Sequence, residues 1–498
     1  MSKNINVLQS NTSDNLQRDT PSSKKKNSIE HAVILAAGNG QRFKEKGVEL
    51  PKVLLKVGGL RLLERAILAL EQAGVKHFHI VVGAYKDQII EVMSKNYRLK
   101  TLNIEYIECE DYNLGNGVSF GKGAAEIKGP FLLSMSDHIF SIKTIKEFVE
   151  LAKEDPTLPA LACDPKLDDI FDMDDATKVE SKNNQIYRIG KELKKYDLVD
   201  TGLFYFPAGY GAKVAEKAQN GAHGVSDIMK QFIGAEGVRA ISLKKAIWQD
   251  VDNPSMKKEA EKRLVRTLVK DTDGWVSKNI NRFFSTRISL FLAKLSTAPN
   301  TVTTFVFLFT LWGAYLVSTG QYMWIALGGL IFQIASILDG CDGELARLTY
   351  RGSQFGAWYD TITDNIRYIV FLSALGVGAY NSTGNEVYFY ATISLALFAC
   401  YTAFIMGRYV WKNGGPLTNL EVTKQVDETA KENKSFLYSI VRRFRGIEKQ
   451  DVSAFMAFIL CIVGLYKVMF WIAFLGVTVA AFGVTKAISN ANAKAKIN

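Results

Sequence analysis

The sequence predicts two fold classes in one chain: an α/β domain built on a Rossmann-like, mainly parallel sheet, followed by an all-α domain of six transmembrane helices. Two observations predict this division. From residue 32 to residue 107, short apolar runs alternate with helical patterns, and such a βαβα rhythm is typical of a parallel sheet with helices on both faces. The long apolar runs lie beyond Pro299, and several approach the ~20 residues that a bilayer requires.

The composition indicates a membrane-associated protein of the cytosolic side. The chain has 498 residues, which is room for two or three domains, and its formal net charge is +11. The basic residues cluster beside apolar segments, which favours an anionic membrane surface and predicts no nucleic-acid partner. The five cysteines are scattered without disulfide or metal spacing, so we expect a reducing environment. They are Cys109, Cys163, Cys341, Cys400 and Cys461.

Composition divides the chain into four segments. They are a disordered tail without a signal peptide (1–28), the α/β domain (29–254), a charged linker with a juxtamembrane amphipathic helix (255–297) and the transmembrane domain (298–490). Residues 275–296 mix aromatic and basic side chains, and such a helix commonly lies in the membrane interface. Packing against the α/β domain is the alternative, because amphipathicity alone does not separate the two cases.

A glycine-rich turn follows the first predicted strand. The apolar run 32–35 leads into Ala36-Ala37-Gly38-Asn39-Gly40, and such a turn exposes backbone N–H groups that can hold phosphates. It fits neither the Walker pattern nor G-x-G-x-x-G, so the turn alone is compatible with a structural or a functional role. Asp137 follows the buried run 131–135, which places a carboxylate at a strand end, where open α/β sheets bind ligands.

The segment Leu35-Ala36-Ala37-Gly38-x-Gly40-x-Arg42, followed by Pro51-Lys52, resembles the signature of the sugar-phosphate nucleotidyltransferases. The resemblance implies that the turn cradles the triphosphate of CTP and that Arg42 and Lys52 neutralise it during catalysis. It also implies that Asn116 contacts the base and that Asp200-Thr201-Gly202 holds the sugar phosphate. The implied CTP-binding residues are Leu35, Ala36, Ala37, Gly38, Gly40, Arg42, Lys52 and Asn116.

The same resemblance implies a metal site in this domain. Asp137 looks like the metal-binding aspartate of the family, and the block Trp248-Gln249-Asp250-Val251-Asp252 supplies a second acid. Asp250 and Asp252 are equal candidates at this point. The expected ion is Mg²⁺ or Mn²⁺.

Four carboxylates stand at the edge of the apolar region. Asp339 and Asp342 are three residues apart, and Asp360 and Asp364 four apart, so each pair faces one way on a helix and the pairs can converge. Ionisable groups at membrane depth cost several kcal/mol each unless they are paired or bind a cation. Carboxylates without nearby His or Cys suit Mg²⁺ or Mn²⁺ better than zinc.

This region resembles the D-G-x2-A-R-x8-G-x3-D-x3-D signature of the CDP-alcohol phosphotransferases, and Asp339 matches a further upstream acid of that family. The resemblance implies that Asp339, Asp342, Asp360 and Asp364 bind metal and that Asp364 is also the general base. The expected CDP-alcohol site consists of Asn300, Gly343, Ala346, Arg347 and Gly356.

The predicted spans are 301–319, 322–338, 358–380, 387–406, 452–467 and 468–486. The loop between the fourth and fifth is rich in Lys and Arg, so the positive-inside rule predicts that it is cytoplasmic. Counting crossings from this loop puts both termini, the acidic site and the α/β domain on the cytoplasmic face of the plasma membrane. Arg408, Arg442 and Arg443, near the predicted membrane ends, are the candidates for binding the phosphate of an acceptor.

The two resemblances share a nucleotide intermediate: one domain would make a CDP-alcohol from CTP, and the other would use it. This pairing resembles the bifunctional CTP:inositol-1-phosphate cytidylyltransferases and di-myo-inositol phosphate phosphate synthases. The resemblance implies CTP, inositol-1-phosphate and CDP-inositol as partners, together with the lipid bilayer, and a product that leads to a compatible solute. That the alcohol is inositol rests on this resemblance in domain order alone.

Two other functions stay open on the sequence. One is a fused phospholipid synthase that uses another alcohol phosphate and a lipid acceptor. The other is a membrane protein whose soluble domain is a non-catalytic nucleotide sensor, although the presence of Arg42, Lys52 and Asp137 argues against it. A homodimer through the membrane domain is compatible with every one of these functions.

Overall fold

The chain forms two compact units. Among the described residues, the first unit contains those up to Leu54 together with Leu63–Asp252, and the second contains Leu55–Leu62 and those from Asn253 onward. The computed structural model describes residues 28–40, 50–270, 273–412 and 450–494.

The first unit is built on a large sheet. The strands of the chain are β1 (His31–Ala36), β2 (Lys56–Val57), β3 (Leu60–Arg61), β4 (His77–Val82), β5 (Asn103–Glu108), β6 (Phe131–Met135), β7 (His138–Phe140), β8 (Ala160–Asp164), β9 (Lys178–Lys182), β10 (Gln185–Gly190), β11 (Leu198–Phe206), β12 (Arg239–Ser242) and β13 (Trp248–Asp250). Among the described residues, nine strands pair in the order β5-β4-β1-β6-β11-β8-β12-β10-β9. β2 pairs with β3, and β13 pairs with β7, in two small ribbons.

The sheet is mixed, whereas the sequence predicted a mainly parallel one. β5, β4, β1 and β6 run parallel to one another, as the βαβα rhythm predicts. β11 runs antiparallel to both of its neighbours, β6 and β8. The two-residue turn at Asn183 and Asn184, both with positive φ, joins β9 to β10 as an antiparallel hairpin at the edge of the sheet.

Helices cover the sheet and make up the second unit. They are α1 (Leu62–Glu71), α2 (Lys86–Ser94), α3 (Asn116–Ala124), α4 (Ile142–Glu154), α5 (Tyr210–Gln219), α6 (Val225–Ala235), α7 (Pro254–Arg266), α8 (Arg282–Lys294), α9 (Pro299–Ser318), α10 (Tyr322–Leu348), α11 (Gln354–Thr383), α12 (Glu386–Lys412), α13 (Gln450–Ile462) and α14 (Tyr466–Lys494). The parallel strands end at one edge of the sheet, so the residues that follow β1, β4 and β6 meet there.

Small residues let the helices of the second unit approach closely. A Cβ on Gly328 of α10 would lie 2.5 Å from the carbonyl oxygen of Gly313 on α9. A Cβ on Gly378 of α11 would lie 2.3 Å from the carbonyl oxygen of Val317 on α9. Glycine at such contacts is typical of helices that pack against one another in a membrane.

The second unit is helical, as predicted, but the predicted number of six spans is not confirmed. In the described ranges, four helices are long and apolar enough to cross a membrane: α9, α10, residues 386–408 of α12 and residues 466–486 of α14. α11 carries Asp360, Asp364 and Arg367 in its first half, and α13 has 13 residues where a bilayer needs ~20. The predicted boundary between the last two spans is displaced, because Gly464, with φ +82°, separates α13 from α14.

Candidate active sites

The glycine turn after β1 has an accessible backbone. No heavy atom of the described residues lies within 4 Å of the position that a Cβ on Gly38 would take, and Gly40 has a φ of +62°, which favours glycine. Residues 35–37 are buried, so their contact with a nucleotide would come from the backbone rather than from the side chains. Gly83, which follows β4, packs against the same turn: a Cβ there would lie 2.9 Å from the carbonyl oxygen of Ala37.

Lys52 contacts two of the predicted metal ligands of the first unit. Its Nζ lies 2.5 Å from Oδ2 of Asp137 and also donates to Oδ1 of Asp252. One cationic nitrogen therefore contacts oxygens of both acids, and the two carboxylates converge on one point. Converging carboxylate oxygens are the donors that Mg²⁺ and Mn²⁺ prefer.

Asp250 occupies a different position. It ends β13, and the antiparallel register with β7 places it opposite His138. Its Oδ1 accepts a 2.8 Å hydrogen bond from Nε2 of Gln249. The geometry therefore favours Asp252 over Asp250 as the partner of Asp137, a choice that the sequence left open.

Charge and burial shift the pKa values of Asp137 and Asp250 in opposite directions. Burial acts against the ionised form of Asp137, but Lys52 and His138 outweigh it and lower the Asp137 pKa to about 2. Burial also acts against the charged form of Lys52, yet Asp137 and Asp252 outweigh it and raise the Lys52 pKa. The Asp250 pKa is raised, because burial outweighs the attraction of His138. Asp137 and Lys52 are thus both charged at neutral pH.

Asn116, the residue predicted to contact the base, also caps a helix. Its Oδ1 accepts a 2.9 Å hydrogen bond from the backbone N–H of Val225, the first residue of α6. The flanking glycines pack against backbone: a Cβ on Gly115 would lie 2.3 Å from the carbonyl oxygen of His223, and one on Gly117 would meet that of Ala222 at 2.6 Å. The side-chain Nδ2 is the part of Asn116 that this cap does not use.

The segment Asp200-Thr201-Gly202 of β11 lies beside the residue that follows Asp137. Nδ1 of His138 lies 2.8 Å from the carbonyl oxygen of Thr201, which accepts its hydrogen bond. Asp200 accepts a 2.7 Å bond from the backbone N–H of Gly202, which has a φ of +80°. Burial raises the Asp200 pKa to about 6, against the opposing effects of that N–H group and of His138.

Three of the four predicted acids of the second unit converge. Asp339 lies on α10, and Asp360 and Asp364 lie on α11; one oxygen of each carboxylate lies within 4.8 Å of the other two. Arg367 is 2 % exposed and binds this cluster: its Nη2 lies 2.6 Å from Oδ1 of Asp339 and 2.9 Å from Oδ1 of Asp364. Three carboxylates carry more negative charge than Arg367 neutralises, and this all-oxygen donor set fits a divalent ion such as Mg²⁺ or Mn²⁺.

The fourth acid, Asp342, lies beside the cluster. It is buried on α10, and its Oδ2 accepts a 2.6 Å hydrogen bond from Oγ1 of Thr303 on α9. Its other oxygen accepts from the backbone N–H of Gly343. Helix α9 thus holds the orientation of this carboxyl group.

The residues predicted to bind the CDP-alcohol lie around the acids. A Cβ on Gly356 would lie 3.2 Å from Oδ1 of Asn300, and one on Gly343 would lie 3.3 Å from Nη1 of Arg347, so both glycines permit close approach of a polar side chain. Ala346 is half-buried in the turn between Gly343 and Arg347. The sites lie where the first turns of α9 and α11 meet the second half of α10.

Positive groups gather next to this cluster. Nη2 of Arg347 donates to the carbonyl oxygen of Leu268 at 3.2 Å, while its Nε is buried without a hydrogen-bond partner among the described residues. Burial lowers the pKa of Lys270, and the nearby Arg347 and Arg282 lower it further. Buried polar atoms are rarely left unpaired, so an anionic ligand is the kind of group that would complete this environment.

Comparison with known proteins identifies both units. Residues 32–174 match the family model of the MobA-like NTP transferase domain, and residues 296–479 match that of the CDP-alcohol phosphatidyltransferases. A bifunctional IPC transferase and DIPP synthase from Aquifex aeolicus is 38 % identical over 350 residues, which is 70 % of this chain and 77 % of the relative. An enzyme of the same name from Thermococcus kodakarensis is 36 % identical over 374 residues, which is 74 % of this chain and 79 % of the relative.

The chain belongs to the family of bifunctional IPC transferases and DIPP synthases. It is therefore an enzyme with a nucleotidyltransferase domain and a CDP-alcohol phosphotransferase domain, and the second domain makes it a membrane protein. The solved structure of the inositol-1-phosphate CTP transferase from T. maritima is similar at 24 % identity, with a TM-score of 0.43, and covers 48 % of this chain and 96 % of that chain.

Some predicted site residues of this family member lie outside the described residues. Arg42 falls within 41–49, and Arg442 and Arg443 fall within 413–449. Arg408 is described and lies exposed near the end of α12. The acceptor-phosphate role of the three arginines Arg408, Arg442 and Arg443 stays a prediction.

A buried carboxylate that the sequence analysis missed joins the amphipathic helix to the catalytic one. Glu344, within the D-G-x2-A-R motif on α10, is fully buried. It accepts hydrogen bonds of 2.7 Å each from the hydroxyl groups of Ser285 and Ser289 on α8, and it is paired with Arg282. Arg282 also binds Asp273. This network fixes α8 against the helix that carries Asp339 and Asp342.

We expect Glu344→Gln to destabilise the membrane domain. The substitution keeps the shape of the side chain but leaves the half-buried Arg282 with only one carboxylate partner among the described residues, and breaking a pair with a buried member typically costs about 3–5 kcal/mol. Thermal unfolding of the detergent-solubilised protein measures the effect. Glu386→Gln, at an exposed position at the start of α12, is the matched control. Equal unfolding temperatures for the two variants would contradict a structural role of the network.

Proposed function

We propose that this enzyme makes CDP-inositol and then uses it. In the first reaction, the phosphate of inositol-1-phosphate attacks the α-phosphate of CTP, and pyrophosphate leaves. In the second, a hydroxyl group of another inositol-1-phosphate attacks the phosphate that bears the inositol, and CMP leaves, giving di-myo-inositol phosphate phosphate. The observation that carries the proposal is the presence of two acidic centres, one in each unit, in a chain of this family.

In the first site, we assign the triphosphate to the turn that contains Gly38 and Gly40. The accessible backbone there, at the carboxyl end of β1, supports this assignment, since backbone N–H groups bind phosphate without a side chain. Asp137 and Asp252 would hold the divalent cation, because they converge on one point. Lys52, now bound to both acids, would move onto the triphosphate when the cation replaces its ammonium group between them.

In the second site, we assign Asp339, Asp342, Asp360 and Asp364 to the binding of Mg²⁺ or Mn²⁺. Cations held there would neutralise the charge of the bridging phosphates and align the attacking and leaving oxygens. Asp364 would accept the proton of the attacking hydroxyl group. Asn300, Gly343, Ala346, Arg347 and Gly356 would bind the CDP group. The Nε of Arg347, which has no hydrogen-bond partner in the described part of the chain, supports a phosphate contact.

Arg367 is a positioning residue in this proposal. Its guanidinium group binds Asp339 and Asp364, which lie on different helices, and so fixes their separation. Because arginine stays charged at all relevant pH values, it also limits repulsion between the two carboxylates. The attacking hydroxyl would therefore meet an Asp364 that is held in place before substrate binds.

The proposed substrates can be tested directly. The purified full chain, in lipid nanodiscs, is incubated with CTP, ATP, GTP or UTP and with a panel of alcohol phosphates, and the products are identified by mass spectrometry. We expect a CDP-alcohol with inositol-1-phosphate and CTP, and a water-soluble final product. Preference for another alcohol phosphate would overturn the assignment to inositol. In a parallel incubation with radiolabelled inositol-1-phosphate, a labelled product that partitions into organic solvent would indicate a lipid acceptor instead.

Both reactions are expected to stop when divalent cations are removed. Without a cation, the phosphates of both substrates meet uncompensated carboxylates, so binding and transfer are disfavoured together. Release of pyrophosphate and of CMP should fall to background in EDTA and return with excess Mg²⁺ or Mn²⁺. Full activity of either site after exhaustive dialysis against EDTA would contradict the assignment of its acids.

We propose that both termini, the nucleotidyltransferase domain and the 407–449 loop are cytoplasmic, at the plasma membrane. CTP is a cytoplasmic substrate, and the Lys and Arg residues of that loop support the orientation. In a Cys400→Ser background, cysteines introduced for Ser435 or Ser439 should react with a membrane-impermeant maleimide only after the cells are opened. Labelling of intact cells would reverse the topology.

A further inference from the structure

The two acids that we assign to the first cation lie at one end of a short ribbon. β7 and β13, of three residues each, pair antiparallel outside the nine-stranded sheet, with His138 opposite Asp250. Asp137 directly precedes β7, and Asp252 follows β13 by two residues. In an antiparallel pair one strand begins where the other ends, so both acids lie at the same end of the ribbon.

The ribbon needs contacts with the rest of the domain to keep its position. An isolated two-stranded pair is marginally stable at best in water. The backbone is bound on both sides of β7: the N–H group of Ser136 donates to the carbonyl oxygen of Leu35 at 3.3 Å, and that of Ser141 donates to the carbonyl oxygen of Ile247 at 2.9 Å. In addition, one side chain from each strand binds the ribbon to the main sheet.

His138 binds β7 to β11. Its Nδ1 donates a 2.8 Å hydrogen bond to the carbonyl oxygen of Thr201, and because a carbonyl oxygen only accepts, this nitrogen carries a proton. A Cβ on Gly202 would lie 2.6 Å from the same nitrogen, so the contact requires glycine at this position. The pairing of β11 with β8 is irregular between Asp200 and Phe204, which is where β11 receives the ring.

Trp248 binds β13 to β8. Its Nε1 donates a 2.8 Å hydrogen bond to Oδ2 of Asp164, the last residue of β8, which is fully buried. The other oxygen of Asp164 accepts a 2.9 Å bond from the backbone N–H of Lys166. Hydrogen bonds to an ionised acceptor are roughly twice as strong as neutral ones. The rings of Trp248 and His138 stack with centroids 6.0 Å apart, so the two side chains also support each other.

The ring of His138 does not hold the neighbouring carboxylate directly. Its Nε2 lies 3.7 Å from Oδ1 of Asp137, which is longer than a hydrogen bond, while Oδ2 of Asp137 contacts Lys52. An effect of His138 on Asp137 therefore passes through the backbone that joins the two residues. In the same way, Trp248 acts on Asp252 through β13.

We propose that His138 and Trp248 are positioning residues that set the separation of Asp137 and Asp252 for the first reaction. This inference rests on the proposed assignment of the two acids to the first cation. Loss of either side-chain bond lets the ribbon move relative to the main sheet, so the carboxylates converge less well and bind the cation more weakly. Changes to groups that orient metal ligands typically weaken metal binding by about 10–100-fold.

Mn²⁺ is the probe for the test, because the electron paramagnetic resonance of the free ion measures binding without turnover. The full chain in nanodiscs is titrated, and Asp137→Ala identifies the Mn²⁺ that the first centre binds. His138→Phe keeps a ring against Trp248 but removes Nδ1, so the affinity of this site should fall by about 10–100-fold. His138→Asn places an amide nitrogen near the position of Nδ1 and should keep the wild-type affinity. A ring that only fills space would give the opposite order.

Trp248→Phe is the second variant, and it carries the test if His138→Phe does not fold. It keeps an aromatic ring but removes the donor to Asp164, so it should also weaken Mn²⁺ binding at the first centre. Tyr187→Phe, which alters an exposed ring of the same domain, is the matched control. The Mn²⁺ concentration that half-activates pyrophosphate release should rise in parallel, whereas CMP release from supplied CDP-inositol should keep its metal dependence. Far-UV circular dichroism establishes which variants are folded.

The outcomes separate this inference from the proposed function. If Asp137→Ala binds as many Mn²⁺ ions as the wild-type protein, the assignment of the first centre itself is wrong. If Asp137→Ala loses a site, wild-type affinity in folded His138→Phe or folded Trp248→Phe would overturn the positioning role alone. Equal losses of affinity in His138→Asn and His138→Phe would also overturn it, because the bond to Thr201 would then not be the cause.

Discussion

Asp364→Asn is expected to reduce transfer from CDP-inositol by at least about 100-fold while CDP-inositol synthesis continues. The variant keeps the size and polarity of the side chain, but it loses one ligand charge and the group that accepts the proton of the attacking hydroxyl. It also removes a negative partner of the buried Arg367. Losing a general base typically costs 10²–10⁴-fold, and a weakened metal site adds to that.

CDP-inositol should therefore accumulate when this variant receives CTP and inositol-1-phosphate. Anion-exchange chromatography measures the nucleotide products, and pyrophosphate release measures the first reaction separately. Asn365→Ala is the matched control, since that side chain lies one residue further on α11 and bonds to the carbonyl oxygen of Thr361 of the same helix. Equal loss of both reactions in Asp364→Asn would contradict the assignment of this acid to the second reaction alone.

Asp137→Ala is expected to have the opposite effect. It removes one of the two carboxylates that contact Lys52, so the first site loses a metal ligand. Of these two acids, only Asp252 then stays paired with Lys52. Release of pyrophosphate from CTP should fall by at least about 100-fold, because the cation neutralises the triphosphate during attack. Transfer from supplied CDP-inositol should stay within a factor of two or so of the wild-type rate, since its site has its own acids.

Asp168→Ala is the control for this variant, because Asp168 is an exposed acid of the same domain. Normal pyrophosphate release by Asp137→Ala would contradict the proposed first site. An equimolar mixture of Asp137→Ala and Asp364→Asn should restore the overall reaction if CDP-inositol is released into solution. Failure of the mixture, with both half-reactions intact, would show that the intermediate passes within one assembly.

The parts of the structure that local sequence determines were predictable. The spacing of Asp360 and Asp364 by four residues puts both on one face of a helix, and they do lie together on α11 with Asp339. The alternation of short apolar runs likewise predicted the parallel strands β1, β4, β5 and β6. Helical and strand periodicities act over a few residues, so one sequence contains them.

The parts that depend on distant residues were not predictable. The antiparallel direction of β11 depends on its pairing with β6 and β8, which are distant from it in the sequence. The choice between Asp250 and Asp252 depends on the position of Lys52, some 200 residues earlier. Arg367 was visible only as a charge in an apolar segment, and its pairing with Asp339 required the packing of α10 against α11.

The stoichiometry of the complete reaction tests the central claim most directly. The purified full chain in nanodiscs is given CTP and ¹³C-labelled inositol-1-phosphate, and ³¹P NMR with mass spectrometry follows every product. We predict pyrophosphate, CMP and a water-soluble phosphodiester in a ratio of 1:1:1, with two labelled inositol rings and one phosphomonoester in each phosphodiester. Pyrophosphate release without CMP, or a phosphodiester that contains only one labelled ring, would contradict the coupling of the two sites.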